Sequence, residues 1–238
     1  MKAIIIAAGQ GKRLRGISGD IPKPLIPIGN VPLLERIIGI CRDSGVGDFG
    51  MVVGYKHNSL EDYFGDGSKF GVNIEYVFNP EWEKGNGVSA YIASEMVRGE
   101  ESFLLMMSDH LINRDIINRL LKDDSSCNLL AVDRDIERIF DLDDATKVLC
   151  EGDNIMEIGK EIPHYNGLDC GIFRLKSNFF GAMGEALASG SDQLSDGVRV
   201  LINRRDFKAH FISTDAHWLD VDTEEAFRFA EGNLELYC

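Results

Sequence analysis

Ala3-Ile4-Ile5-Ile6-Ala7-Ala8-Gly9-Gln10-Gly11-Lys12-Arg13-Leu14, with Pro22-Lys23-Pro24-Leu25 close behind, is the stretch that decides how the 238-residue chain folds. An apolar run far too short to cross a bilayer passes directly into a glycine-rich turn rather than a cleavage site. That is the pattern of a buried strand whose carboxyl end opens a loop. Successive backbone N–H groups in such a loop form a concavity for an anion. Lys12, Arg13 and Lys23 crowd around it, so phosphate is the expected occupant. A plain surface turn that uses glycine only for its geometry is the competing reading. Two familiar phosphate loops do not fit. A dinucleotide fingerprint requires glycine or alanine where Leu14 stands, and a P-loop requires serine or threonine where Arg13 stands.

Beyond this opening, apolar β-prone runs recur at Phe49–Val53, Val72–Phe78, Phe103–Met107 and Asn128–Val132. Between them, Leu33, Leu34, Ile37, Ile38 and Cys41 share one helical face with Asn30 ahead as the expected cap. Further helices are predicted near 58–63, 87–96 and 113–121. Nearly all-apolar strands alternating with helices predict an α/β, Rossmann-like fold with a mixed, mainly parallel central sheet flanked by helices. After residue 140 the pattern changes. Strands at 146–150 and 155–158 flank Glu151-Gly152-Asp153-Asn154, which predicts a small β-hairpin extension. Cys170–Leu175, a helix over 177–188, Phe211 and Trp218–Val221 supply the closing elements. No repeat, low-complexity tract or Pro/Ser-rich linker interrupts the chain, so a single domain is expected over 1–238. Within it, residues 1–140 would form mainly the nucleotide-binding half and 141–238 mainly the acceptor-binding and closing half.

The chain carries 25 Lys+Arg against 39 Asp+Glu, a net charge of −14, which argues against a nucleic acid gripped through its phosphates. Residues 1–25 run the other way: Lys2, Lys12, Arg13, Arg15 and Lys23 against Asp20 give +4, leaving −18 on the rest. Fields are screened within roughly 8–10 Å at cellular salt, so a local basic patch can still receive an anion. The expected partners are small phosphorylated molecules, with no nucleic acid and no membrane segment. Five cysteines (Cys41, Cys127, Cys150, Cys170, Cys238) with no CxxC pair predict neither a disulfide framework nor a zinc site. A reducing cytoplasm is the expected location.

Gly9–Leu14, read as GxGxRL, and Pro22–Leu25, read as PKPL, together resemble the opening of the sugar-phosphate nucleotidyltransferases. The resemblance continues through Ser108-Asp109 after its apolar strand and through Leu219-Asp220-Val221-Asp222-Thr223. Within the family, the chain is most similar to the inositol-1-phosphate cytidylyltransferase branch. That similarity rests on Glu83-Lys84-Gly85-Asn86-Gly87, Ser108-Asp109-His110, Ala145-Thr146-Lys147-Val148, Ile158-Gly159-Lys160 and Asp169-Cys170-Gly171. Lys12, where relatives often carry Thr or Ser, and a longer Arg15–Asp20 loop depart from the pattern. The resemblance implies a nucleotide-diphospho-sugar transferase type of fold. It also implies a magnesium-dependent transfer from CTP to a phosphorylated polyol, inositol 1-phosphate above all, giving CDP-inositol and pyrophosphate. Choline phosphate, glycerol phosphate or a hexose 1-phosphate, with CTP, UTP or dTTP, stay open. So do a glycosyltransferase using Asp220-Val221-Asp222, a non-catalytic nucleotide-sensing subunit, and assembly as a homodimer.

Such a transfer needs the monoester oxygen to attack the α-phosphorus in line while pyrophosphate leaves. The monoester, whose second pKa is about 6, is already largely dianionic, so neither a covalent nucleophile nor a general base is required. Position and positive charge are what the protein must supply. Arg13 is assigned to the leaving phosphates, which a guanidinium matches in shape. Lys23 is assigned to the α-phosphate and the incoming phosphate, held extended between Pro22 and Pro24. Asp109 and Asp222 are the expected magnesium ligands, although either could instead cap the helix after it; Asp220 is expected to be structural, with a paired role beside Asp222 left open. Nucleotide contacts are assigned to Ala7, Ala8, Gly9, Gly11, Lys12, Asn86 and Gly87, and acceptor contacts to Lys147, Lys160 and Asp169. His110 beside Asp109 is the one suggestive histidine. Asp141-Leu142-Asp143-Asp144 fails as a calcium loop, because Ala145 and Thr146 stand where a ligand and then glycine are needed.

Overall fold

Ile4, Ile5 and Ile6 are each buried in a strand, β1 (Ala3–Ala7), whose alternate side chains serve two different cores. The computed structural model describes residues 1–237, without the side chains of Arg15 and Ser18; Cys238, counted among the cysteines above, lies outside the described residues. Ala3, Ile5 and Ala7 face one apolar cluster and Ile4 and Ile6 the other, as the period of two in a strand dictates. Burying each isoleucine contributes about 1.5–3 kcal/mol. This is why β1 sits deep in the sheet.

In chain order the first half continues with α1 (Arg15–Ser18), β2 (Pro27–Ile28), β3 (Val31–Pro32), α2 (Leu33–Asp43), β4 (Asp48–Val53), α3 (His57–Phe64) and β5 (Asn73–Phe78). Then come α4 (Asn86–Ile92), β6 (Ser102–Met107), β7 (His110–Ile112), α5 (Arg114–Lys122) and β8 (Asn128–Asp133). The second half adds β9 (Lys147–Glu151), β10 (Asn154–Gly159), β11 (Gly167–Lys176), α6 (Asn178–Ala188), α7 (Leu194–Asn203), β12 (Phe207–Phe211), β13 (Trp218–Asp220) and α8 (Glu224–Gly232). Nine strands form one sheet in the order β5-β4-β1-β6-β11-β8-β12-β10-β9. The β5-β4-β1-β6 run and the β8–β12 pair are parallel, while β11 and β10 run against their neighbours. The fold is thus α/β with a mixed, mainly parallel sheet. Helices α2, α3 and α5 cover one face through residues such as Ile37, Phe64 and Ile117. Helices α4, α6 and α7 cover the other through Ala90, Phe179 and Val198.

The hairpin extension is β9 and β10, joined at the Glu151–Asn154 pair by Gly152 and Asp153. Two expectations need correction. Asn30 does not cap α2: it stands at φ 65 in the tight turn between β2 and β3, where Asn readily adopts the left-handed conformation, and Pro32 immediately precedes the helix. The late strand at Trp218 joins no part of the large sheet and pairs instead with β7. A third apolar cluster, including Leu14, Leu111, Leu219 and Val221, packs beneath that pair and beneath the loop after β1. Cys41, Cys127, Cys150 and Cys170 are free thiols. Among the described residues no helix is long and apolar enough to cross a membrane.

Candidate active site

The pairing of β7 with β13 explains how carboxylates far apart in sequence meet. Antiparallel register sets His110 opposite Asp220, and the Val221 N–H donates to Asp109 O at 3.0 Å. Asp109 and Asp222 therefore flank the end of one short ribbon. Neither caps a helix: Asn113 accepts from the Asp115 N–H at 2.9 Å for α5, and Thr223 Oγ1 from the Ala226 N–H at 3.1 Å for α8. With other residues capping these helices, both carboxylates remain available to the site.

Lys23 reaches them from the other side. Gly11, at φ +60, lies under its stem, and a Cβ at that position would come within 2.7 Å of Lys23 Cβ. Only glycine meets both demands. The backbone around Lys23 is not extended as expected. Lys23 opens a single 3-10 turn, closed by the Leu25 N–H on Pro22 O at 2.8 Å and the Ile26 N–H on Lys23 O at 3.1 Å, with Pro22 before it and Ile26 after it extended. The side chain is 6% exposed. Its ammonium donates to Asp109 Oδ2 at 2.8 Å and to Asp222 Oδ1, and stands 3.6 Å from Asp220 Oδ1. Burial lowers its pKa; the surrounding carboxylates outweigh that and raise it above the usual lysine range. The converse holds at Asp109, where burial is outweighed by Lys23 and His110 and the carboxyl is held well below its ordinary range.

Asp220, set aside as structural, belongs to the same group. Burial, then the charge of Asp109, pushes its carboxyl up to about 6. Its buried Oδ1 has no hydrogen-bond partner among the described residues, and one ligand atom each from Asp109, His110 and Asp220 lie within 4.8 Å of one another. An orphaned carboxylate oxygen beside two more carboxylates suits a hard divalent cation, which takes oxygen ligands. His110 Nδ1 donates to Asp109 Oδ1 at 2.8 Å, and the ring stacks at 5.9 Å on Trp218. Although burial opposes its charge, Asp220 and Asp109 lift its pKa to about 9. Gly171, at φ +71, lets the imidazole close in, since a Cβ there would lie 2.6 Å from its Nε2.

Two cavities, of about 470 Å³ and about 510 Å³, meet at Asn86, Met107, Asp109 and Asp222, which line both. The smaller receives Gly9, Gly11, Lys12, Arg13 and Lys23. The larger receives Lys160 and Asp169. Arg13 donates to Asp144 Oδ2 at 2.7 Å and to Asp222 Oδ2, and Lys160 to Asp144 Oδ1 at 2.5 Å. Burial pushes the Asp169 carboxyl up to about 6 even though its Oδ1 accepts from the Gly171 N–H at 2.7 Å. Asn86 carries a tie the sequence does not announce: its Oδ1 accepts from the Leu194 N–H at 2.8 Å, leaving the amide N–H groups for a ligand.

Four assigned residues line neither cavity. Ala7 and Ala8 are buried at the end of β1, where Ala8 O accepts from the Tyr55 N–H at 2.9 Å. Gly87 is inside α4 with its N–H on Asp192 O at 2.9 Å. Lys147 donates to Lys160 O at 2.9 Å and lies 5.8 Å over the Tyr165 ring. Arg199, Gln193 and Asp196 enter the larger cavity from α7 and its approach, and Trp82 enters the smaller. Nothing in their local sequence marks them; only the docking of α7 against α4 and β10 brings the first three there.

Comparison with known proteins agrees with this architecture. The family model for nucleotidyl transferases matches residues 2–131. A bifunctional IPC transferase and DIPP synthase from Thermococcus kodakarensis is 32% identical over 235 residues, covering 98% of this chain and 50% of that protein. One of the same name from Aquifex aeolicus is 33% identical over 223 residues, covering 94% and 49%. The chain thus spans about half the length of the curated relatives it matches. Among solved structures, the inositol-1-phosphate CTP transferase from T. maritima superposes with a TM-score of 0.85 at 27% identity, covering 94% of this chain and 90% of that one.

Proposed function

The chain belongs to the nucleotidyl transferase family, and we propose that it transfers the cytidylyl group of CTP to inositol 1-phosphate, giving CDP-inositol and pyrophosphate. The observation that carries this reading is the meeting of two cavities at one carboxylate pair, with a buried lysine between the carboxylates and a further cation toward each side. The names of similar proteins support the substrate pair: an IPC transferase and an inositol-1-phosphate CTP transferase. Of the bifunctional relatives only the transferase activity is carried over, because the solved transferase is covered almost end to end.

In this reading the smaller cavity takes the triphosphate, with the Gly9–Gly11 turn and Lys12 around the phosphates and Arg13 on the leaving pair. The larger cavity takes the monoester, with Lys160 on its phosphate and Asp169 as a hydroxyl partner. Residues 1–140 supply most of the first and 141–238 most of the second within one domain. Lys23, fixed where the cavities join, stabilises the charge that gathers as the monoester oxygen attacks the α-phosphorus. The three carboxylates do not act as bases; their charge keeps Lys23 protonated and aimed. Asp109 and Asp222, with Asp220 beside them, would hold magnesium, which when bound supplies positive charge to the phosphates.

Pyrophosphate release tests this. Protein, magnesium and each nucleoside triphosphate are incubated with inositol 1-phosphate, choline phosphate, glycerol phosphate and glucose 1-phosphate. Release confined to CTP with inositol 1-phosphate, and abolished by EDTA, is expected. Release with another pair reassigns the substrate. Nucleoside diphosphate released from a nucleotide sugar instead would replace the reading with glycosyl transfer.

A further inference from the structure

Arg13 and Lys160 come from opposite sides of the cleft, on the loop after β1 and at the end of β10, yet one carboxylate joins them. Asp144 Oδ2 accepts from Arg13 Nη1 at 2.7 Å and Asp144 Oδ1 from Lys160 Nζ at 2.5 Å. Asp144 belongs to a segment that walls the larger cavity along with Ile139 and Phe140. The fold ties that segment down at both ends. Arg138 donates to Asp133 at 2.9 Å and to the carbonyls of Thr214 and Ala216 at 2.7 Å each. Phe140 lies 5.1 Å from the Phe229 ring, and the Asp169 N–H donates to Thr146 O at 2.9 Å. The carboxylate between the two cations is therefore held by the protein.

We propose that Asp144 is a positioning residue of this site, aiming Lys160 at the phosphate of the acceptor and fixing its separation from Arg13; the inference rests on the function proposed above. An ammonium has three N–H donors and a guanidinium five. Lys160 gives one to Asp144, and Arg13 gives one to Asp144 and another to Asp222, so each can still donate to a phosphate oxygen while held. Both side chains are half exposed on long flexible stems. An ion pair made in advance removes rotamer freedom that the acceptor would otherwise have to remove on binding. The two cations depend on Asp144 unequally. Arg13 retains Asp222 when Asp144 is lost, whereas Lys160 has no other ion-pair partner among the described residues. The loss should therefore fall on the acceptor.

Asp144→Asn keeps the size of the side chain but leaves a single oxygen and turns an amide N–H toward one cation. In pyrophosphate release with magnesium, CTP and inositol 1-phosphate, the KM for inositol 1-phosphate should rise roughly tenfold while that for CTP stays within about twofold. The melting temperature should be unchanged. Because Asp144 acts through Lys160, the double variant Asp144→Asn/Lys160→Met should be no worse than Lys160→Met alone. Additive losses, a CTP KM raised as far as that of the acceptor, or both constants unchanged in Asp144→Asn would each overturn the proposal. A second arm is independent of turnover: acylation of Lys160 by an amine-reactive ester, followed by mass spectrometry, should be faster in Asp144→Asn than in wild type. Equal rates would overturn the pairing. Wild-type protein that releases no pyrophosphate from this substrate pair, with the labelling difference present, would sink the function and leave the pairing standing.

Discussion

The floor of the cleft and its outer rim use the same kinds of residue and hold them differently. At the floor, Lys23 is 6% exposed and faces Asp109, Asp220 and Asp222; at the rim, the Lys160 ammonium is half exposed and, among the described residues, pairs with Asp144 alone. Coulombic attraction strengthens as water is excluded, whereas an exposed ion pair contributes only about 0–1 kcal/mol. Depth also carries a penalty, because a buried charge left without its partner is strongly destabilising. The floor is thus a buried, mutually dependent set, and the rim a more exposed one joined through Asp144. Charge neutralisation during the reaction requires the first arrangement, and recognising an acceptor can be met by the second.

Breaking the floor should give the largest effect. Lys23→Ala or Asp109→Ala should each lower turnover by about 10² to 10³, the scale for one lost electrostatic contact to a transition state. Pyrophosphate release at saturating magnesium measures this, and near-normal turnover in either variant would remove that residue from the chemistry. Lys23→Ala should also melt at lower temperature in EDTA, since three carboxylates lose their common cation.

An intermediate effect concerns pH and stability. Within the fold His110 holds its proton up to about pH 9, against 6.5 for an ordinary histidine. A raised histidine pKa means that the folded state binds the proton more tightly than the unfolded one. The resulting stabilisation is complete below 6.5 and is lost as pH rises through about 9. In EDTA the melting temperature of wild-type protein should fall across that interval, and His110→Gln should flatten the fall. Identical slopes would separate His110 from the mutual dependence of the floor.

The smallest effect sharpens the rim. Lys147 spends its ammonium on Lys160 O and the face of Tyr165 and lines neither cavity. Lys147→Ala should therefore leave kcat and both KM values within about twofold, the range of a solvent-exposed contact. A change confined to the acceptor KM would instead move Lys147 into the acceptor site.

The floor was partly legible in the sequence because its first pieces are contiguous. An all-apolar β1 followed by Gly9 and Gly11, with Lys12, Arg13 and Lys23 crowded around that turn, reads as a strand, a turn and a candidate phosphate site together. Its acidic members were harder to sort. Asp220 and Asp222 are two residues apart in a short strand and its exit, and nothing local says that both reach Lys23; the register of β13 on β7 decides that. At the rim, Asp144 bonds Arg13 across 131 positions and looks from the sequence like a broken calcium loop. The helix contributing Arg199 is not among the elements expected from the sequence, and neither is its role as a wall of a cavity. Asn30 shows the opposite failure, a good capping residue whose ability to take positive φ was put to use in a turn.

The ten-residue strand β11 is hydrogen-bonded to β6, β8 and β9. It comes late in the chain yet lies between β6 and β8, which precede it in sequence, so the sheet is interleaved rather than laid down end to end. A fragment of residues 1–140 would retain β6 and β8 as two raw edges with nothing to join them, and a fragment of the remainder would carry β11 without β6 and β8. The two halves that line the cleft share one interleaved sheet, so neither is expected to fold as a module on its own.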